Sequence, residues 1–193
     1  MKNEVKLLGV ISSDFTYSHT LYSEGFYTMT VSVKRGSDKV DLIPVMVSDR
    51  LLDVRQNYIN ERVILTGQFR SYNQREELKT TLKLYVFVTE ISFTDEQKDI
   101  NDAFLEGYLC KTPTYRHTPL GREISDLMVA VNRAYGKSDY IPCICWGRSA
   151  YYARGLEAGN GIRIAGRIQS REYVKNGETK TAYELSVNLI ELC

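Results

Sequence analysis

The chain is poor in metal-ligating residues, in prolines and in net charge. Of its 193 residues, two are histidine (His19 and His117) and four are cysteine (Cys110, Cys143, Cys145 and Cys193), with no CxxC pair. A zinc site needs closer nitrogen and sulfur ligands than this spacing provides. No metal site or cofactor is therefore expected, and the cysteines read as reduced core residues. No apolar run approaches the roughly 20 residues of a membrane-spanning helix, and the opening MKNEVKLLG has no signal-peptide core. A soluble cytoplasmic protein is expected, away from membranes. Charge is balanced, with 25 Lys and Arg against 24 Asp and Glu. A polyanion-binding chain is often more basic, so any electrostatic footprint must come from local clustering. What the chain has instead is tyrosine, 14 of them, a residue suited to contact surfaces as well as cores.

The most informative stretch is DYIPCICWGR, Asp139 to Arg148, which holds the single tryptophan and two of the four cysteines. Strand periodicity puts Ile141, Cys143 and Cys145 on one face and Tyr140, Ile144 and Trp146 on the other. The first set suits a core. The second presents two large aromatics followed by a cation, a surface fit to stack on something flat. A weaker copy, DLIPVMVSDR, lies 98 residues earlier at Asp41 to Arg50. The same offset relates Asn3, Leu7 and Gly9 to Asn101, Leu105 and Gly107, and Tyr17, His19 and Thr20 to Tyr115, His117 and Thr118. It also sets Arg35 on Arg133. After one inserted residue, GQFRS (67–71) falls on GRIQS (166–170). The chain reads as a tandem duplication, with domains at 1–94 and 99–193 joined by the polar stretch SFTDEQKD.

Each copy has one order of elements. In the second, Phe104–Cys110 is a first strand, and Thr112–Arg122 is a loop carrying Pro113, Pro119 and Gly121. Glu123–Asn132 is a second strand, with Leu127, Val129 and Val131 alternating inward. Tyr135–Lys137 turns into the third strand, Tyr140–Trp146. Ser149 then caps a short helix over Ala150–Leu156, ended by Gly159-Asn160-Gly161. Ile162–Tyr173 and Lys180–Leu192 close the set through the turn Lys175–Glu178. The expected fold is all-β: two tandem OB-fold five-stranded barrels, each with one short helix between strands 3 and 4. An SH3-like barrel lacks that helix and is the second choice.

On YRHTPLG (115–121), LMVAVNR (127–133), DYIPCICWGRSA (139–150) and GRIQSREY (166–173), the second half resembles the bacterial single-stranded DNA-binding protein family. The first half shows a diluted version through VSVKR (31–35), DLIPV (41–45) and GQFRSYN (67–73). The resemblance implies OB folds that bind single strands without catalysis, in replication, recombination or repair. It also implies four OB folds per assembly, hence a homodimer for a tandem chain. Carried over by position, the stacking aromatics are Tyr140, Trp146 and Tyr173. The basic, aromatic loop is Arg133, Tyr135 and Lys137, and the cation after the aromatic-Gly step is Arg148. The residues agree with that chemistry. Flat side chains take bases, and cations follow phosphates; Arg116, Arg167 and Arg171 join the set.

The first half departs from the pattern. Leu42, Ser48 and Gln74 stand where Tyr140, Trp146 and Tyr173 are matched. Lys34, Arg35, Arg70 and Tyr72 keep a secondary nucleic-acid-binding set, so this half is expected to bind weakly or to serve assembly. The chain stops at Leu192-Cys193, where family members usually continue into a tail with an acidic tip, so recruitment by that route is not expected. A primosome-like protein-interaction module is the alternative function, with replication or primosome proteins as partners. Catalysis is not expected, because Asp126, Asp139, Glu172 and Glu184 are scattered and phosphodiester cleavage needs clustered carboxylates. Packed aromatics remain the structural alternative for Tyr140, Trp146 and Tyr173. Tyr151 and Tyr152 are expected to pack on the barrel end or a subunit partner.

Overall fold

The computed structural model describes residues 2–193. In the first repeat the strands are β1 (Asn3–Ile11), β2 (Thr16–Leu21), β3 (Glu24–Lys34), β4 (Val40–Ser48), β5 (Arg62–Glu76) and β6 (Lys79–Phe93). In the second they are β7 (Ile100–Leu109), β8 (Thr114–His117), β9 (Glu123–Asn132), β10 (Ser138–Trp146), β11 (Gly161–Lys175) and β12 (Glu178–Leu192), with helix α1 (Arg148–Ala153) between β10 and β11. Each strand has its counterpart at nearly the offset of the sequence repeat.

Five strands of each repeat close a ring. In the first, β1 pairs β3, β3 pairs β4, β4 pairs β6 in parallel, β6 lies beside β5, and β5 returns to β1. In the second, β7, β9, β10, β12 and β11 repeat that order, again with the single parallel step at β10–β12. These are two OB-type barrels. By contact the chain divides into two compact units that cut across the repeat. One is Glu4–Arg70 with Leu84–Asn101; the other is Asp102–Cys193 with Ser71–Lys83 and the N-terminal Lys2 and Asn3.

Alternation builds the cores as expected. Leu127, Val129 and Val131 of β9 face Cys143, Ile141 and Asp139 of β10, and all six are buried. Closing a small barrel brings backbones close, and glycine marks the crossings. A Cβ at Gly107 would lie 2.4 Å from the carbonyl oxygen of Ala130, and one at Gly166 would lie 2.0 Å from that of Ser186. Gly9 and Gly67 do the same in the first barrel, which is why these glycines recur in the repeat.

Three local expectations are corrected. The loop Thr112–Arg122 contains β8, a short edge strand on β9, and β2 is its counterpart. Its prolines and glycine mark ends, and four alternating residues between them are too few to signal a strand. Helix α1 starts at Arg148, with Gly147 (φ +54°) at its N-cap and no side-chain cap, so Ser149 lies inside the helix. Among the described residues, only the second barrel has this helix. There Ala150, Ala153 and Leu156 are buried, and the Ser125 hydroxyl donates to the Ala150 carbonyl at 2.8 Å. In the first repeat residues 49–61 run as turns, because side chains compete for the backbone. Asp53 Oδ1 accepts from the Arg55 N–H at 3.2 Å, and Asn57 Oδ1 accepts from the Ile59 N–H at 2.9 Å. Rings gather there instead: Phe15 packs edge-on to Tyr27 (6.5 Å) and to Tyr58 (6.0 Å).

Cys143 and Cys145 are buried, whereas Cys110 and Cys193 are exposed. Burial pushes the Cys143 thiol well up and the Cys145 thiol up to about 12, so neither forms the reactive thiolate near neutrality. Titration with a disulfide reagent at pH 8 is expected to modify Cys193 and, more slowly, Cys110, whose thiol burial also raises. The other two should react only after denaturation. Four thiols reacting in the folded protein would contradict this core.

Candidate nucleic-acid interface

On β10 the alternation separates core from surface. Ile141, Cys143 and Cys145 are buried, while Tyr140 is 46% exposed and Trp146 38% exposed. Six residues of strand set these two aromatics about 20 Å apart, at roughly 3.3 Å per residue. Pro142 and Ile144 share their parity; Pro142 is half-buried and Ile144 buried, so the outward face is most open at its two aromatics. Ile144 lies beside Asp126 of β9 and Ser186 of β12. Tyr173, opposite Lys180 in the β11–β12 hairpin, is 37% exposed. Strand parity puts Arg167, Gln169, Arg171 and Tyr173 on one face of β11.

The proposed cations differ in how engaged they are. Arg148 and Lys137 are exposed. Arg116 Nε donates to Asp126 Oδ2 at 2.8 Å, and Arg171 Nε lies 3.6 Å from Glu184. Both arginines are more than half exposed; the Asp126 side chain is exposed as well, so the Arg116 pair contributes little, whereas Glu184 is buried. Arg167 Nη2 donates to Gln169 Oε1 at 3.4 Å, and Gln169 Nε2 donates to the buried Glu184 at 2.8 Å. Arg133 is different. Its Nε lies 2.9 Å from an oxygen of Asp139, a carboxylate with no exposed surface. The same pair recurs as Arg35 and Asp41, with Nε and Nη2 donating at 2.7 and 2.6 Å, and that bonding raises the Arg35 guanidinium further above its usual range. The structure places Arg133 and Arg35 as latches at the base of their hairpin loops. Lys34, by contrast, is exposed.

Beyond Arg133 the loop presents Tyr135, which is 98% exposed and sits at φ +63°, followed by Gly136 at φ +68°. A left-handed conformation costs a tyrosine about 1–2 kcal/mol, and no burial of the ring offsets it.

Sequence reasoning missed two features. Arg154, just past α1, lies 3.9 Å over the Tyr151 ring and 5.5 Å from that of Tyr115, whose hydroxyl donates to Glu123. Tyr151 and Tyr152 are exposed, so this helix face extends the aromatic-cationic surface next to Trp146. The first barrel keeps aromatics, but on other positions. Ser48, at the place of Trp146, is buried and donates to Glu24; Leu42, at the place of Tyr140, is exposed. Phe26 lies opposite Ser48, with His19 stacked on it at 4.9 Å and Phe87 at 5.9 Å. The Arg70 guanidinium lies 3.9 Å over Phe87. Position-by-position matching could not find this stack, because its phenylalanines fall on Ile124 and Ser186 in the second repeat. Among the described residues, no three of His, Cys, Asp and Glu come together as a metal site would need, and no helix is long and apolar enough to cross a membrane.

Comparison with known proteins bears on the same residues. Residues 100–193 match the model of the single-strand binding protein family. A single-stranded DNA-binding protein of Oceanobacillus iheyensis is 32% identical over 95 residues, covering 46% of this chain and 58% of the relative. Single-stranded DNA-binding protein 1 of Lactococcus lactis is 34% identical over 95 residues, covering 46% and 63%. Each alignment thus spans less than two thirds of the relative's length. The wild-type single-stranded DNA binding protein of Thermus aquaticus superposes with a TM-score of 0.81 at 16% identity, covering 100% of this chain and 93% of that one. At that identity the likeness concerns the fold, and it extends to both barrels. The resemblance to the single-strand binding protein family therefore stands on residues 100–193, and the first half repeats the fold with that sequence pattern diluted.

Proposed function

We propose that the protein binds single-stranded DNA without catalysis, chiefly through the second barrel. The observation that carries this reading is β10. A strand whose alternate residues are sealed in the core leaves Tyr140 and Trp146 open at its two ends. Bases stack on such rings at about 1–3 kcal/mol each, with little regard to sequence. Tyr173 supplies a third ring and Tyr135 a fourth, held in a conformation that packing does not reward. Arg148 and Lys137 meet phosphates directly, Arg116 does so by releasing the exposed Asp126 carboxylate, and Arg171, itself more than half exposed, adds positive charge beside the buried Glu184. The family match over residues 100–193 supports the same function, and two chains would bring together the four barrels that the resemblance implies.

The first barrel is the weaker or assembling half in this reading. Ser48 offers no ring, and Phe26 and Phe87 are already stacked on by His19 and Arg70.

Titration with oligo-dT is expected to quench the single tryptophan, with affinity falling steeply as salt rises because phosphate contacts release counterions. An unchanged Trp146 signal, with no band shift at low salt, would overturn the reading.

A further inference from the structure

The tip of the first repeat's β5–β6 hairpin belongs to the same compact unit as the second barrel. Two hydrogen bonds, one buried and one part-buried, hold it there. The Ser71 N–H donates to Asp139 Oδ1 at 2.8 Å, and the Tyr140 N–H donates to Ser71 Oγ at 2.7 Å. Ser71 and Asp139 are both buried, and Arg133 holds the other oxygen of Asp139. The start of β10, from which the first stacking ring projects, is therefore fixed by a residue of the first repeat. The next residue on each side is an aromatic: Tyr72 after Ser71 and Tyr140 after Asp139. Each stands one step out of the buried pair, and they are 45% and 46% exposed. The hairpin itself carries Arg75, Lys79 and Lys83 against Glu76 and Glu77, leaving a slight positive balance.

We propose that this hairpin is a working part of the second barrel's interface. Ser71 positions the start of β10, and Tyr72 joins Tyr140 as a double stacking platform for successive bases of a single strand. The inference rests on the single-strand-binding reading above. It adds that the site is built from both repeats, so neither repeat alone carries it whole. Duplication would then have served the site directly, by supplying a second hairpin in addition to the second repeat's own β11–β12 hairpin.

The test is a double-mutant cycle in the full chain, with Tyr72→Ala, Tyr140→Ala and the double variant titrated with fluorescein-labelled oligo-dT. Trp146→Ala is the control, and circular dichroism verifies the fold of each variant. Each single tyrosine variant is expected to weaken binding about 5-fold or more. The double variant should weaken it by less than the product of the two, because the rings share one platform. Tyr72→Phe, which keeps the ring, should bind like the parent chain. If Tyr72→Ala binds normally while Trp146→Ala is weakened, the hairpin proposal fails and the single-strand reading stands. If neither variant changes binding, the reading itself falls. Fully independent effects of Tyr72 and Tyr140 would overturn the double platform.

Discussion

Asp139→Ala is expected to destabilise the protein by about 3–5 kcal/mol, the usual consequence of removing one partner of a buried ion pair. The Asp139 carboxylate has no exposed surface, lies 2.9 Å from Arg133 Nε and accepts the Ser71 N–H at 2.8 Å. Alanine leaves a largely buried guanidinium without its counter-charge and a buried amide without this acceptor. Asp139→Asn keeps an oxygen for Ser71 while losing the charge, so a smaller loss of about 1–3 kcal/mol is expected. Asp126→Ala breaks only the exposed pair with Arg116 and should stay within about 1 kcal/mol. Urea denaturation measures all three through their midpoints. If Asp139→Ala were as mild as Asp126→Ala, Arg133 would not be a latch and would return to the set of phosphate contacts.

That contrast shows where the sequence was legible and where it was not. Arg133 and Arg35 stand in the sequence as repeated arginines just before the β10 strand and its copy, and their clustering with aromatics suggests phosphate contact. The one sequence signal that Asp139 faces inward is strand parity, which puts it with Ile141 and Cys143; an acidic residue at such a position does not by itself announce burial. Strand β9, Glu123–Asn132, is legible to both ends, because Leu127, Val129 and Val131 alternate strongly between turn residues. The edge strand β8 was invisible, since a four-residue strand between prolines has no period to detect. A uniform repeat implies a helix in both copies. The first copy instead spends Asp53 and Asn57 on local backbone hydrogen bonds and gathers Phe15, Tyr27 and Tyr58 into a ring cluster. The stack of His19, Phe26, Phe87 and Arg70 was missed for a related reason: residues from four strands meet there, and only the barrel closure brings them into reach.

Trp146→Ala and Tyr173→Ala are each expected to weaken oligo-dT binding by about 1–3 kcal/mol, and Leu42→Ala and Ser48→Ala by much less. The asymmetry follows from what each side chain can offer. Trp146 stands 38% exposed at the end of a strand whose inward residues are sealed, so removing it deletes a stacking face without opening the core. Ser48, at the same place in the first barrel, is buried, donates to Glu24 and accepts the Arg50 N–H at 3.1 Å. Its loss affects local packing and not a contact surface. Leu42 is exposed but has no π face to stack on. The measurement is a fluorescence-anisotropy titration of each variant at fixed salt, since affinity without a stated salt concentration has no meaning for such a complex. Equal losses from the two barrels would show that the first barrel binds by the same strand face. The stack at Phe26 and Phe87 would then be a platform in its own right, reached by displacing His19 or Arg70. Losses confined to Trp146 and Tyr173 leave that stack as closed packing and the second barrel as the site where bases are held.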